Sequence, residues 1–195
     1  MEKDTFDILS DAISDVGYWR WWIAEDDRIQ LEFGGVQLLN SDTLDKNSTS
    51  AIIALRFSEN VLLKFYDNEA ENQWHIQLQE DKIEPFTVDY DFFRFNNPDS
   101  INEIEKEYKN QIVIKESEGI SELKNVLAFK AGDVAVITGG NDFCVVDANG
   151  KIDEETIWER SRLWGIFWRD YWKKRDTDDP YNKDYACEAT IPVKE

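Results

Sequence analysis

The strand-like runs of this chain come as close neighbours, and the links between them are too short to hold a crossover helix. Residues 18–24 and 29–33 flank the turn Glu25-Asp26-Asp27-Arg28, and residues 51–57 and 61–66 flank Ser58-Glu59-Asn60. A parallel neighbour needs a connection of about a dozen residues or more, whereas an antiparallel neighbour needs only a few. The spacing therefore predicts two hairpins in a largely antiparallel sheet. Gly34-Gly35 marks a bulge before a short run at 36–39, and residues 74–79 alternate apolar and polar side chains. Further strands are expected at 87–95 and 112–115, then in a meander of 125–130, 133–138 and 142–147. Asp147-Ala148-Asn149-Gly150 supplies the last turn, and 189–193 fits a short edge strand.

Three helical patterns interrupt the strands. Phe6, Leu9, Ala12, Ile13 and Val16 recur at spacings of three and four from Asp4 until Gly17 stops them. Ser100 and Glu103 form a capping-box pair ahead of Ile101, Ile104 and Tyr108, with an end near Asn110. Asp153 is placed to cap a long helix running to about Lys174. The predicted class is α+β, with about three helices packed on antiparallel sheet. At 195 residues and 42% hydrophobic content, the chain supports one core, so residues 1–195 are read as one domain.

Charge limits what such a body attracts. Forty-one acidic residues against 22 basic ones leave a net charge of -19. They are divided almost evenly between the two halves, so the excess belongs to the folded surface and not to a tail. That is on the order of one unbalanced negative charge per 500 Å² of folded surface. Nucleic acid and anionic membranes are excluded as partners, and a basic protein partner is favoured. The start of the chain, MEKDTFDILS, lacks the basic segment and apolar run of a secretion signal, so a cytoplasmic location is expected. In that reducing setting Cys144 and Cys187, far apart in sequence, read as free thiols.

The aromatic residues pose the sharpest structural question. YWRWWIAEDDRIQLEFGG, residues 18–35, opens with three tryptophans and a tyrosine. A four-residue loop would set Ala24 against Ile29, Trp22 against Leu31 and Arg20 against Phe33 on one face. Trp21 would then oppose Glu32 on the other face, with Trp19 opposite Gly34. Trp164, Trp168 and Trp172 stand at successive i, i+4 positions of the long helix, within about 80° of one another. The expected arrangement buries Trp19 and Trp21 beneath that stripe. The alternative makes Trp19, Trp21 and Glu32 a ligand or partner face. Arg160, Arg162, Arg169, Lys173, Lys174 and Arg175 make the helix locally basic, in keeping with its dipole.

No catalytic, cofactor-binding or metal-binding pattern emerges. His75 is the only histidine and alternates with the apolar residues of WHIQLQ, which places it on a polar strand face. Asp89 and Asp91 share one strand face about 7 Å apart, near the separation used by inverting glycosidases. Among 41 acids such a pair arises readily by chance. The segment Asp176-Thr177-Asp178-Asp179-Pro180-Tyr181-Asn182 begins like a calcium loop, but Tyr181 occupies the position of the turn glycine and Cys187 that of the bidentate glutamate. The functional expectation is an acidic, non-catalytic binding protein, such as an inhibitor or immunity-type protein that neutralises a basic partner. Its alternatives are a carbohydrate-binding or carbohydrate-hydrolysing protein using Trp19, Trp21 and Glu32 with Asp89 and Asp91, and a structural subunit of a larger complex.

Overall fold

The first hairpin closes on three residues, and that sets the orientation of everything after it. The computed structural model describes residues 1–13, 18–39, 50–67, 93–95, 97–131 and 134–177. Strand β1 (Tyr18–Ile23) meets β2 (Ile29–Leu39) with Ile23 opposite Ile29, Trp21 opposite Leu31 and Trp19 opposite Phe33. The Ala24 N–H donates to the Arg28 carbonyl at 2.8 Å, and Asp27 takes a left-handed φ of 64° at the tip. A short loop ending in a left-handed residue is a standard way to close twisted strands, and aspartate tolerates that conformation better than most. The four-residue loop expected from sequence is thus wrong by one residue. Because side chains alternate along a strand, that one-residue slip turns all of β1 over.

Two five-stranded antiparallel sheets result. The first runs β1, β2, β3 (Ser50–Ser58), β9 (Asp142–Asp147) and β10 (Gly150–Ile152). The second runs β5 (Phe93–Phe95), β7 (Asn125–Ala131), β8 (Val134–Gly140), β4 (Leu62–Asp67) and β6 (Asn110–Glu116). The predicted bulge is present inside β2, where Gly35 has φ 86° and the pairing with β3 shifts between Gly34 and Val36. The turn after Asp147 is also as expected, with the Asn149 N–H donating to Asp147 Oδ1 at 2.8 Å.

Residues 51–66, in contrast, do not form a hairpin. β3 pairs with β9 in the first sheet, and β4 pairs with β8 in the second. β3–β4 and β8–β9 are therefore two continuous strands that run side by side from one sheet into the other. At the corner Glu59, Asn60 and Val61 lie between the Ser58–Asp142 and Leu62–Gly139 pairs, opposite only Gly140 and Asn141. Glu59 and Asn60 both adopt positive φ there, and the Asn141 N–H donates to the Glu59 carbonyl at 2.7 Å. The extra residue bends the ribbon as a β-bulge does. The predicted meander survives only as the β7–β8 hairpin.

The sheets face each other across one core. Trp19, Trp21, Leu31, Phe33, Leu55 and Phe57 of the first sheet meet Leu63, Phe65, Leu127, Phe129 and Val136 of the second. Helix α1 (Lys3–Ile13) adds Phe6, Leu9, Ala12 and Ile13 and packs on β2 and β5. Helix α2 (Pro98–Glu107) covers the outer face of the second sheet through Ile104, beside Tyr66 and Ala128. Its cap is Asn97, whose side chain accepts from the Asp99 N–H at 3.0 Å, and not Ser100 as the sequence pattern indicated. Pro98 in the first turn explains the earlier start, since its fixed φ suits that position. Helix α3 (Glu154–Thr177) begins at the predicted cap, the Thr156 N–H donating to Asp153 Oδ1 at 2.8 Å, and packs on β2 and α1.

Candidate functional site

Trp19 and Trp21 are fully buried, so neither indole presents a surface to a ligand. The face proposed from Trp19, Trp21 and Glu32 is thereby corrected. The turned-over β1 sends both rings inward and leaves Glu32 on the outside. The long helix does not cover them either. Trp19 meets Phe129 edge-on at 5.1 Å between centroids, and Trp21 meets Phe65 at 5.3 Å, both from the opposite sheet. Glu32 is held by Arg20, with Nε to Oε1 at 2.7 Å and a second contact at 2.9 Å, and the Arg20 guanidinium lies 5.6 Å from the centre of the Trp22 ring. Trp22 is the outward-facing tryptophan of the cluster.

The tryptophan stripe on α3 is also rotated from its expected position. Among its described side chains Ile157, Leu163 and Phe167 are buried; Ile157 lies in line with the stripe, but Leu163 and Phe167 stand about 100° or more from Trp168 at its centre, at 100° per residue. Trp164 and Trp168 are half-buried against Phe167, and Trp172 is 44% exposed. Of the basic residues, Arg160 is tied to Asp147 at 2.8 Å, which pins the start of α3 to the end of β9.

The described surface carries grooves, two of which are lined by charged side chains. One, of about 700 Å³, lies between α2, the end of β6 and the turn at 119–123. Its charges answer one another, since Lys64 Nζ meets Glu116 Oε1 at 2.6 Å. The other, of about 610 Å³, lies between α1 and α3 and is lined by Ile8, Glu155, Trp158, Glu159, Ser161 and Arg162. Trp158 is 46% exposed there. Its indole N–H donates to Thr5 Oγ1 at 3.0 Å, and the buried Thr5 hydroxyl donates to Glu154 Oε2 at 2.8 Å. The Glu2 backbone N–H donates to the same carboxylate at 3.1 Å. That backbone bond, followed by the Thr5 hydroxyl, holds the Glu154 carboxyl below its usual range. Asp153 is likewise lowered, chiefly by the Thr156 side chain and then by its N–H.

Glu155 and Glu159 line this second groove, and further acidic side chains lie on the two helices that form it. Asp4, Asp7 and Asp11 are exposed along α1, and Asp153 and Glu155 are exposed at the start of α3. Sequence reading missed the site because it depends on two helices at opposite ends of the chain meeting. The available signal was the acid spacing on the polar face of α1, where Asp4 and Asp11 stand on the same side as Ile8.

His75, Asp89, Asp91, Trp74 and Cys187 lie outside the described residues. Cys144 is free and half-buried. Among the described residues no cluster of three His, Cys, Asp or Glu side chains is placed to hold a metal ion, and no helix is long and apolar enough to cross a membrane. Compared with known proteins, the chain matches no protein family, no curated sequence and no solved structure.

Proposed function

We propose that this chain is an acidic, non-catalytic binding protein that recognises a basic protein partner, in the manner of an inhibitor or immunity-type protein. The observation that carries the reading is the set of acidic side chains exposed along α1 and at the start of α3, Asp4, Asp7, Asp11, Asp153 and Glu155, on a chain of net charge -19. Such a field raises the local concentration of cationic partners, speeds their docking and repels polyanions. It also makes association depend on salt, because charges farther apart than about 10 Å are screened at 0.1 M ionic strength.

The test is a set of purified cationic proteins and peptides presented at 20 mM and at 300 mM salt (roughly 22 and 6 Å Debye lengths), with heparin as the anionic control. Binding to cationic members that weakens with salt, and none to heparin, is the expected result. Absence of any cationic binding at the lower salt would remove the proposal.

A further inference from the structure

The α1–α3 groove holds an aromatic ring whose polar edge is satisfied and whose flank is open. Trp158 is fixed through its N–H to Thr5, and Thr5 through its hydroxyl to Glu154. The ring is therefore held in place by a chain of hydrogen bonds through the buried Thr5 while almost half of the residue faces solvent. Glu155 and Glu159 stand one turn before it and one position after it, and Ile8 closes the apolar side. Across the groove Asp4 and Asp11 flank Ile8 on α1. Arg162, one turn further along α3, is the cation of the groove lining, and the N-terminal ammonium lies 3.7 Å from Glu154, which answers it.

A tryptophan face bordered by carboxylates is suited to a flat cation. The ring quadrupole attracts positive charge, a guanidinium stacks on it without losing its planar donors, and carboxylates accept those donors. An anion is repelled by the same surroundings, and a second copy of this chain by its net charge of -19. We infer that the groove receives an arginine side chain from a basic protein partner, stacked on Trp158 and bonded to Glu155 or Glu159. This rests on the proposed function and names the place and the chemistry of its contact.

The experiment titrates the full chain with acetylated hexaarginine at low salt and follows the tryptophan indole N–H signals by NMR. The Trp158 signal is identified by its loss in Trp158→Phe. The expected result is a saturable shift of that signal, with hexalysine weaker and hexaglutamate inert. Trp158→Ala should bind about fivefold more weakly or worse, the size of an exposed cation–π contact. Trp158→Phe, which keeps an aromatic face, should retain most of the affinity. Glu155→Gln with Glu159→Gln should lose it, and Glu122→Gln on the exposed turn beyond β6 should not. If hexaarginine binds with no movement of Trp158 and Trp158→Ala binds like the parent, the groove assignment fails while the acidic-binding reading stands. If no cationic peptide binds at low salt, both fail.

Discussion

Trp19 and Trp21 illustrate how a single residue's environment decides stability. Each ring removes about 150 to 250 Å² from water, at about 25 cal/mol per Å², so the pair contributes several kcal/mol to the seam between the sheets. Trp21 carries one defect, because its buried N–H has no hydrogen-bond partner among the described residues. An unpaired buried donor works against folding by about 1 to 3 kcal/mol. Trp21→Ala is therefore expected to lower stability by about 3 to 5 kcal/mol. Trp21→Phe removes the unpartnered N–H together with part of the ring and should cost under about 1.5 kcal/mol. Urea unfolding of the two variants separates these effects, and equal losses would show that the donor is in fact satisfied. The burial of these rings was legible in the aromatic content of the sequence. Their covering was not, because the hairpin register turned on whether Asp27 takes a positive φ, which the string EDDR does not determine.

At the level of elements, α2 is attached to the second sheet by polar side chains as well as by Ile104. Lys130 of β7 reaches Glu107 at 2.6 Å and Glu103 at 3.1 Å. Burial pulls this lysine down, but the two glutamates more than offset it and leave its ammonium above its usual range. Tyr66 of β4 accepts from the Gln111 amide at 3.0 Å and lies 3.4 Å from Glu105. Burial, then the Glu105 carboxylate, push its phenol up to about 12 from an ordinary value of about 10, with the Gln111 bond acting the other way. The unfolded chain releases this proton first as pH rises, so the stabilisation is complete below about pH 10 and is lost between about 10 and 12. Denaturation at pH 9 and pH 11.5 should show the parent losing more stability than Tyr66→Phe. Lysines and the other tyrosines titrate in both proteins, so the difference isolates Tyr66, and an unchanged difference would refute the shift. The helix positions themselves were readable from periodicity. The Asn97 cap was not, because Ser100 and Glu103 formed an equally good pattern three residues later.

For the whole molecule, the decisive element is the corner where two strands pass together from sheet to sheet. Its sequence, Ser58-Glu59-Asn60, is indistinguishable from a hairpin turn, since a short polar spacer serves both. What separates them is the distant partner, Gly140. A Cβ at Gly140 would lie 2.7 Å from the Ser58 carbonyl oxygen, so the strands approach too closely for any side chain. Gly140→Ala is expected to cost about 1 to 3 kcal/mol, because backbone and not a flexible side chain must move. Thermal unfolding measures it, and a variant melting like the parent would place the corner elsewhere. The α1–α3 groove was illegible for a related reason. It is made by helices that sequence order keeps apart, and only the closed sandwich brings Ile8 to Trp158.

The same pair of through-running strands means that neither leaf of the sandwich owns its central ladder outright. Severing the chain at the bend would leave two half-ribbons, each missing the neighbour that shields its apolar side. Heat or urea should therefore melt both leaves in one cooperative step, with no half-folded species to accumulate.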